Sequence, residues 1–349
     1  IEEWAASGKR ANVFGDAVHV RQMQSEAGVA GALHGALQSG ALASTFTSSQ
    51  GLLLLVPTLL KIAGEGLPLV THVAARAVSA NGITIYSDHS DINAARTGTL
   101  AMLSSHSVQE AHDLALVSHL SAISSSTPFL HFFEGMQISH EVSSVSLLPY
   151  PEISALVHRD ALAEFRSRAL SPARPRSTGV VLGRELFWQQ AESDNARLFA
   201  VPGRVQDAMD AVAGATGRKY SLFEYSGCPE AEAVVVAMGA GAQTVELAVD
   251  RLRRIGKKVG VLKVHLYRPW AAERFLSALP KTVKRVAVLD RTYEPTASGE
   301  PLFLDVTASL RERKAITHIV GGRYAIGDHD FTVEMAESVF AELGSESPR

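Results

Sequence analysis

Two apolar runs with a short polar turn between them dominate the first quarter of the chain. Residues 52–60 and 67–73 are almost wholly apolar, and the turn at 64–66 separates them. Such runs are typical of buried elements that deliver polar groups at their ends. Pro68 can begin a strand, and the run after it is too short and too β-branched to favour a helix. Arg76 therefore lies just past the carboxyl end of a strand, the edge at which open α/β sheets bind ligands.

The rest of the first half alternates between strand-like and helix-like segments. Residues 26–44 predict a helix whose glycines and alanines would let it approach a neighbour closely, despite a cost of about 1 kcal/mol per glycine. The order of elements predicts a doubly wound, largely parallel α/β domain. The other predicted helices cover residues 1–9, 52–61 and 108–124, with a loop entering a helix at 87–96, and the predicted strands cover 18–23, 45–48, 69–73, 83–86, 102–104 and 128–133.

A second α/β pattern follows a stretch of weaker periodicity. From about residue 149 the pattern fades, and the proline, arginine and serine residues of 171–179 predict a surface connection. We place a domain boundary near residue 220, so that residues 1–220 form the larger domain, with a linker at about 150–200, and 221–349 the smaller one. Here the predicted helices cover 205–216, 244–255 and 271–279, the predicted strands 233–238, 258–264 and 285–289, and the predicted turn 239–241.

The composition of the 349 residues is that of an ordinary globular protein, with 46% hydrophobic and 20% charged residues. A formal charge of −3 gives nucleic-acid binding no electrostatic support. No apolar run approaches the roughly 20 residues of a membrane-spanning helix, so we expect neither nucleic acid nor a membrane as a partner.

Cys228 is the only cysteine, which excludes an internal disulfide and a cluster ligated by this chain's cysteines alone, and we expect it to serve packing. Because the chain begins at Ile1 rather than Met, it is either processed or a piece of a longer protein. We favour the second alternative because residues 1–12 resemble the middle of a domain.

Two patterns suggest chemistry but are better explained by ordinary structure. The turn at 239–241 follows a strand and precedes a helix, as in dinucleotide-binding proteins, but Thr244 stands where that fingerprint has its third glycine, and a simple tight turn is favoured. Asp88, His89 and Asp91 could ligate a metal ion. Without a second cluster at ligand spacing, a loop with helix-capping aspartates is favoured.

Histidines and serines near the predicted strands receive a similar interpretation. His131 lies inside an apolar strand, where a hydrogen-bonded core histidine is more common than a catalyst. Ser48, Ser49 and His72 offer a hydroxyl and an imidazole, but the nucleophile elbow of a serine hydrolase is absent.

Glu26 and Arg76 are the strongest candidate site residues. Glu26 begins a helix directly after an apolar segment and should be partly buried, which suits sharing a proton with a ring nitrogen. The alternative is an acid that the helix dipole favours at an amino terminus. A guanidinium at a strand's carboxyl end, as at Arg76, is well placed to bind a substrate carboxylate with two hydrogen bonds. A structural ion pair is an equally common use.

Longer segments carry a family resemblance. The first half contains MQSEAG (23–28), TFTSSQGLLL (45–54), HVAAR (72–76), SDHSDI (87–92), AMLSSHSVQEAHDLALVSHL (101–120) and PFLHFFEG (128–135), and the second LKVHLYRPW (262–270), VAVLDRTYEP (286–295), GEPLFLDV (299–306) and GGRYAIGDHDF (321–331). The first set resembles the amino-terminal domain of pyruvate:ferredoxin (flavodoxin) oxidoreductase. The second set resembles that family's second domain, which is similar to the carboxy-terminal domain of transketolase. The match covers nearly the whole chain.

The resemblance implies a thiamine-diphosphate-binding fold followed by a transketolase C-terminal-like domain. It implies an oxidoreductase that decarboxylates pyruvate to acetyl-CoA and passes electrons through iron–sulfur clusters to ferredoxin or flavodoxin. In that reaction the cofactor does the carbanion chemistry, and the protein positions and polarises it. By resemblance, Glu26 is the catalytic, cofactor-binding glutamate that hydrogen-bonds the aminopyrimidine of thiamine diphosphate. Arg76 is the residue that holds the pyruvate carboxylate.

The resemblance also implies missing parts. The family's opening segment would precede Ile1, and the diphosphate-binding domain with its Mg²⁺, the CoA-contacting domain and the cysteine clusters would follow Arg349. We therefore expect the remaining domains of a parent enzyme as partners, a homodimer, and no pyruvate turnover by this chain alone. By default we expect a cytoplasmic location, with an organelle left open because a targeting peptide would lie upstream.

The chain departs from the family pattern at two places. Asn81–Gly82 and Tyr86–Ser87 replace the family's usual His-Ala and Phe-Gly around the strand predicted at 83–86. Residues 134–141, EGMQISHE, lack the arginine of the family's Asp-Gly-Phe-Arg-Thr-Ser-His-Glu, which leaves the exact 2-oxoacid open. Two alternatives remain: an enzyme with another 2-oxoacid or with NADP as acceptor, and a non-catalytic assembly domain such as that of fungal sulfite reductase flavoproteins. Retention of Glu26 and Arg76 favours the catalytic interpretation.

Overall fold

The computed structural model describes residues 2–7 and 11–348. Its first half alternates strands and helices, because apolar runs of strand length alternate with longer amphipathic or buried helical segments. The elements are α1 (Glu2–Ala6), α2 (Glu26–Gln38), β1 (Ala43–Thr47), α3 (Gln50–Gly64), β2 (Leu69–Ala75), α4 (Ser90–Ala95), β3 (Ala101–Ser104), α5 (Val108–Ser125) and β4 (Phe129–Glu134).

Three helices lead from the first half into a second set of alternating elements. The long helix α8 starts well before the helix predicted at 205–216. The elements are α6 (Tyr150–Leu156), α7 (Arg159–Ser167), α8 (Arg184–Thr216), β5 (Phe223–Gly227), β6 (Ala233–Ala237), α9 (Gly241–Arg254), β7 (Val259–Val264), β8 (Leu266–Arg268), α10 (Ala272–Ala278), β9 (Arg285–Asp290), α11 (Pro301–Leu310), β10 (His318–Arg323), a 3-10 turn at Ile326–Asp328 and α12 (Val333–Leu343).

The first sheet has the order β1-β2-β4-β3-β8. Its first four strands are parallel, with Thr47 opposite Val73 and Ala75 opposite Glu134. The last strand, β8, comes from the second half of the chain and runs antiparallel to β3. This confirms the predicted, largely parallel α/β architecture, and it places the carboxyl ends of β1, β2 and β4 side by side.

The second sheet has the order β10-β9-β6-β7-β5, in which only β5 is antiparallel to its neighbour. Its central strands are short, almost continuous runs of valine, leucine and alanine, as expected for strands that are covered on both faces. One continuous core joins the two sheets, since Val264 and Leu266 pack in the same cluster as Leu130 and Phe132.

Helix α3 shows how sequence pattern becomes packing. Leu52, Leu55, Leu59 and Ile62 recur at helical spacing and are all fully buried. This stripe holds the helix against the first sheet and its neighbours, so that its amino terminus is fixed directly after β1. The predicted helix at 52–61 and the predicted strand at 69–73 are confirmed, each a few residues longer than expected.

Several predictions fail. Residues 18–23 and 83–86 form no strand: Met23 is 48% exposed and Ile83 94% exposed, and neither segment joins a sheet. Strand-like alternation alone is insufficient unless the segment also pairs with another strand. The helix predicted at 26–44 ends at Gln38. Its glycines differ in packing: Gly31 and Gly35 have nothing within 4 Å of an added Cβ, whereas at Gly40, just past α2, an added Cβ would lie 2.9 Å from Cβ of Ala169.

Other predictions hold. The connection at 171–179 is irregular and exposed, and Cys228 packs against the core as a partly buried residue. The predicted helix at 1–9 is found as α1, with Ile1 and residues 8–10 outside the described part of the chain. Within that part, no helix combines the length and apolarity needed to cross a bilayer. The domain boundary near 220 remains a proposal.

Candidate functional site

The carboxyl ends of three neighbouring strands form the candidate site. The loop after β1 begins at Ser48, the loop after β2 at Arg76, and the loop after β4 at Gly135. Because these strands are parallel neighbours, their loops emerge at one edge. Ala75 and Glu134 are opposite each other in the parallel register of β2 and β4. Arg76 and Gly135, which follow them, therefore leave the sheet side by side.

Arg76 lies between the first and third of these loops. A terminal guanidinium nitrogen of Arg76 donates to the hydroxyl of Ser48, and its side-chain stem passes over Gly135, where an added Cβ would lie 2.5 Å from Cγ of Arg76. Among the described residues, no carboxylate pairs with Arg76. The half-buried guanidinium therefore keeps a positive charge and free donors at the sheet edge, and the structural ion pair left open by the sequence is not what the described residues form.

Glu26 approaches the same loop from the other side. It opens α2 and is half-buried. Its Oε1 lies so close to the first turn of α3 that a Cβ at Gly51 would be only 2.8 Å away, and that Cβ would also be 2.7 Å from Oγ1 of Thr47. Among the described residues its carboxylate has no hydrogen-bond or ion-pair partner. Glu26 and Arg76 thus flank one turn, residues 47–51.

This turn has a strained backbone that a buried carboxylate supports. Ser49 adopts a φ of 51°, which is uncommon for a residue with a side chain. Its N–H donates to Oδ2 of Asp91 at 2.8 Å, and the N–H of Arg76 donates to the same oxygen at 3.1 Å. Burial raises the pKa of Asp91 to about 6, against the lowering effect of these hydrogen bonds. Asp91 therefore ties the ends of β1 and β2 together.

The other sequence candidates serve structure. Asp88 accepts hydrogen bonds from the N–H and hydroxyl of Ser90, the first residue of α4. The prediction of helix-capping aspartates is wrong, because the N-cap residue of α4 is His89 and no side chain caps it. Nε2 of His89 lies 3.1 Å from Oε1 of Glu134. Among the described residues, His89 does not form a group of metal-ligating atoms with Asp88 and Asp91. The hydroxyl of Ser49 donates to the carbonyl of Ala77. His131 is fully buried and hydrogen-bonded, as expected of a core histidine.

The turn at 239–241 is the tight turn that the sequence favours. Oε1 of Glu134, at the end of β4, accepts the N–H of Ala240 at 2.9 Å. A carboxylate of the chain itself therefore occupies the start of α9, where a dinucleotide-binding protein would bind pyrophosphate.

Glu134 also connects the carboxyl edges of the two sheets. It is fully buried, with His89 on one side and Arg291, which follows β9, at 3.7 Å on the other. Burial alone would raise the pKa of Glu134, but the hydrogen bond to His89 and the charges of His89 and Arg291 lower it. Arg291 is 2% exposed and also pairs with Asp328 and Gln137. These ion pairs hold the second half of the chain against the candidate site.

Sequence reasoning missed this connection. The partners of Glu134 lie 45, 106 and 157 positions away in the chain, at residues 89, 240 and 291. The signal that could have drawn attention to Glu134 is a carboxylate at the carboxyl end of a mostly apolar strand.

Two family models match the chain. Residues 1–210 match pyruvate flavodoxin/ferredoxin oxidoreductase, thiamine diphosphate-binding, and residues 231–335 match pyruvate:ferredoxin oxidoreductase core domain II. The chain belongs to the pyruvate flavodoxin/ferredoxin oxidoreductase family. The resemblance seen in the sequence is thereby confirmed, and with it a family of 2-oxoacid oxidoreductases whose first domain binds thiamine diphosphate and whose members act on pyruvate with ferredoxin or flavodoxin.

Curated relatives in this family are much longer than the chain. Pyruvate:ferredoxin oxidoreductase of Moorella thermoacetica is 49% identical over 348 residues, which cover 100% of this chain and 30% of the relative. The mitochondrial pyruvate dehydrogenase (NADP(+)) of Euglena gracilis is 50% identical over 348 residues, which cover 99% of this chain and 19% of the relative. The chain thus spans less than a third of the length of either relative.

A solved structure confirms the family fold. The 2-oxoglutarate:ferredoxin oxidoreductase of Magnetococcus marinus, with 2-oxoglutarate, coenzyme A and succinyl-CoA bound, superimposes with a TM-score of 0.66 at 17% identity. The superposition covers 95% of this chain and 58% of that one. The two α/β sheets of this family member are therefore arranged as in a distantly related 2-oxoacid oxidoreductase.

Proposed function

We propose that this chain supplies the pyrimidine side of a thiamine diphosphate site in a pyruvate:ferredoxin or pyruvate:flavodoxin oxidoreductase. One observation carries the proposal. The carboxylate of Glu26 and the guanidinium of Arg76 lie at the same turn, residues 47–51, and neither has an ion-pair partner among the described residues. A neutral heterocycle beside a small carboxylate substrate would satisfy both groups. Family membership supports the same conclusion.

Glu26 has the properties that the pyrimidine ring of thiamine diphosphate requires. Its half-buried carboxylate is held beside Gly51, where any larger residue would collide with it. A carboxylate without a hydrogen-bond partner in such a position can accept a ring N–H or share its proton. When bound, thiamine diphosphate supplies the carbanion chemistry that removes CO₂ from a 2-oxoacid. Glu26 would hold or move a proton at the pyrimidine nitrogen.

Arg76 has the properties of a substrate-binding residue. The hydrogen bond to Ser48 and the contact over Gly135 fix the direction of its guanidinium, while leaving it other N–H donors. Arginine binds carboxylates in a bidentate manner, which gives geometric specificity as well as affinity. Arg76 would orient the carboxylate of pyruvate next to the cofactor.

The remainder of the enzyme would lie outside this chain. We propose that Mg²⁺ and the diphosphate, the iron–sulfur clusters and the CoA site belong to further domains of a homodimeric parent, and that the isolated chain forms no acetyl-CoA. A cytoplasmic location is part of the same proposal. The 50% identity to the NADP-dependent relative supports NADP as the alternative acceptor. A non-catalytic assembly role is the second alternative, and the experiment below separates it from catalysis.

The test is pyruvate-dependent reduction of a low-potential dye by the full-length parent, with and without thiamine diphosphate and CoA. We expect Glu26→Gln to lower kcat by about 100-fold or more, the usual contribution of a positioned proton-transfer group. We expect Arg76→Ala to raise KM for pyruvate by about tenfold or more, which corresponds to the loss of one charged hydrogen-bond pair. Glu152→Gln, at a first-turn acid of α6, and Arg184→Ala, at an exposed arginine, are the matched controls.

Each outcome decides between the readings. Activity that needs the cofactor and collapses in Glu26→Gln supports the proposal. An inactive wild-type parent would favour the assembly role, and an active parent whose two variants behave like the controls would contradict both site assignments. Acetyl-CoA formation by the isolated 349-residue chain would contradict the proposed division of the site.

A further inference from the structure

A second group of titratable side chains lies where the two halves of the chain meet. His106 follows β3, Glu110 lies in the first turn of α5, and His265 lies between β7 and β8. Both histidines are completely buried and Glu110 is 9% exposed. Among the described residues, this is the one group whose side chains bring three metal-ligating atoms within 4.8 Å of one another.

Backbone carbonyls fix the protons of both imidazoles. Nε2 of His106 lies 3.1 Å from the carbonyl oxygen of Val264, and Nδ1 of His265 lies 2.8 Å from that of Ser221. A carbonyl oxygen only accepts hydrogen bonds, so each of these ring nitrogens carries a hydrogen. In the neutral imidazoles, the lone pairs are therefore on Nδ1 of His106 and Nε2 of His265.

Both lone pairs point at the same carboxylate oxygen. Oε2 of Glu110 is 3.4 Å from Nδ1 of His106 and 3.3 Å from Nε2 of His265. Nδ1 of His106 is buried and has no hydrogen-bond partner among the described residues. Three acceptor atoms thus converge in an interior from which water is largely excluded. Such an arrangement is unfavourable unless a positive charge lies between the atoms.

The distances fit a divalent transition-metal ion. Zinc binds nitrogen and oxygen ligands at about 2.0–2.1 Å, which places tetrahedrally arranged ligand atoms about 3.3 Å apart. Metal-bound histidines usually donate their second ring N–H to a carbonyl or carboxylate, as both histidines do here. Two imidazoles also favour zinc-like ions over Mg²⁺ or Ca²⁺, which prefer oxygen ligands.

We propose that His106, Glu110 and His265 bind one divalent transition-metal ion of the zinc class. Oε2 of Glu110 accepts a hydrogen bond from the backbone N–H of His106 at 2.7 Å, and the remaining lone pair of this oxygen is available to the metal. The ion would bind the loop after β3 to the segment between β7 and β8. It would therefore fasten the second half of the chain to the first sheet at the place where β8 joins that sheet.

The test uses the 349-residue chain with zinc chloride and cobalt chloride as probes. After dialysis against a chelator, the wild type should bind about one equivalent of zinc, measured by elemental analysis after gel filtration, and zinc should raise Tm by several degrees. His265→Gln can donate to Glu110 through its amide but lacks the imidazole nitrogen that would bind the metal, so its zinc affinity should fall at least about tenfold. His19→Gln, at an exposed histidine, is the control.

Cobalt makes the proposal testable even if a variant does not fold. Cobalt bound by the folded wild type to these three side chains and one water molecule should show the visible absorption of a four-coordinate complex, and equimolar zinc should remove that absorption. Equal zinc binding by wild type and folded His265→Gln would overturn the proposal, as would the absence of zinc and cobalt binding by the folded wild type. In the second case a proton shared with Glu110 would fill the place of the metal.

Discussion

The two sheets of this protein bury different kinds of side chain. The second sheet fills its centre with aliphatic residues, among them Val235, Val236 and Val288, which are fully buried. The first sheet places two histidines opposite each other in its centre, His72 on β2 and His131 on β4. Polar groups of the second sheet, such as Asp290, lie at strand ends. The second sheet also buries Lys263 near the end of β7, where it pairs with Glu224 and Glu246. Among the described residues, the first sheet alone places two buried histidines opposite each other in mid-strand.

A chain of hydrogen bonds satisfies these central histidines. Oγ of Ser105 lies 2.8 Å from Nε2 of His131, whose Nδ1 is 3.0 Å from Nδ1 of His72. Nε2 of His72 is 3.3 Å from Nε2 of His119 on α5. The comparison teaches that the first sheet gives up apolar burial for an ordered polar interior, while the second sheet acts as a conventional apolar scaffold. The two should therefore respond differently to mutation and to pH.

The largest effect is expected where the two sheets meet. Arg291→Ala removes the arginine partner of the buried Glu134 and, among the described residues, leaves it only His89 as an ion-pair partner, and removing one partner of a buried pair typically costs about 3–5 kcal/mol. We expect a decrease of this size in the free energy of unfolding, measured by urea denaturation. Arg251→Ala, which removes an exposed ion pair to Glu334 within the second half, should change stability little. Equal effects of the two substitutions would show that the junction is not an energetic centre.

Next in size is a substitution at the sheet edge, Gly135→Ala. The new Cβ would lie 2.5 Å from Cγ of Arg76 and 2.7 Å from the carbonyl oxygen of Ala75, so Arg76 has to move. In the full-length parent we expect KM for pyruvate to rise by about tenfold or more, because small displacements of positioning groups are costly. Gly322→Ala is the control in the second sheet, where the new Cβ meets only Cδ2 of Leu289, at 3.1 Å. Unchanged steady-state kinetics in Gly135→Ala would contradict the role of Arg76.

Sequence pattern predicts the parts of this site that depend on local order. The apolar run of β2 placed Arg76 at a strand end, and the apolar run of α3 placed the turn at 47–51 directly before a helix. Nothing in the local pattern indicates that Glu26 reaches that turn, because this contact depends on how α2 and α3 pack. Its role came from family resemblance and stays a proposal.

Long-range partners explain most of what sequence reasoning missed. His106 and His265 are 159 positions apart, and only the pairing of β8 with β3 brings them together. The false strand at 83–86 is a different case, since its alternation is real but the segment pairs with no strand among the described residues. Local periodicity indicates whether a segment tends to form a strand or a helix. Whether a strand finds a pairing partner depends on residues elsewhere in the chain.

The third prediction concerns pH. Burial lowers the pKa of His72 to about 3 and that of His119 to about 4, and lowers that of His131 as well. These groups stay neutral in the folded state but take up protons in the unfolded chain below pH 6.5. The stability that these three neutral histidines contribute should therefore be fully present above pH 6.5 and be lost as pH falls from there toward pH 4.

The measurement is the free energy of unfolding in urea at about pH 7 and about pH 5 for wild type and His119→Leu. Between these two pH values the variant should lose less stability than the wild type, by up to about 1.4 kcal/mol per pH unit. The reason is that one fewer group has a pKa that differs between the folded and unfolded states. His19→Gln, at an exposed histidine, should follow the wild type. A slope in His119→Leu identical to that of the wild type would contradict the role of His119.

The smallest expected effect is stabilising. Gly35 is an exposed glycine within α2, and an added Cβ would meet nothing within 4 Å. Gly35→Ala should therefore raise the free energy of unfolding of the chain by about 0.5–1 kcal/mol. Gly241→Ala, at the start of α9 in the second half, should destabilise instead, because its Cβ would collide with the ring of Tyr324. In a homodimeric parent, weaker assembly of Gly35→Ala in sedimentation would show that a second subunit covers this face of α2.

The strand β8 has a consequence for biosynthesis. Residues 1–220 cannot complete their own sheet, because the edge of β3 is covered only when residues 266–268 have left the ribosome. Until then, a nascent chain presents the unpaired N–H and C=O groups of β3 to any neighbouring chain. For the same reason, a chain truncated after about residue 220 should aggregate, whereas a chain that extends past residue 268 can complete the first sheet.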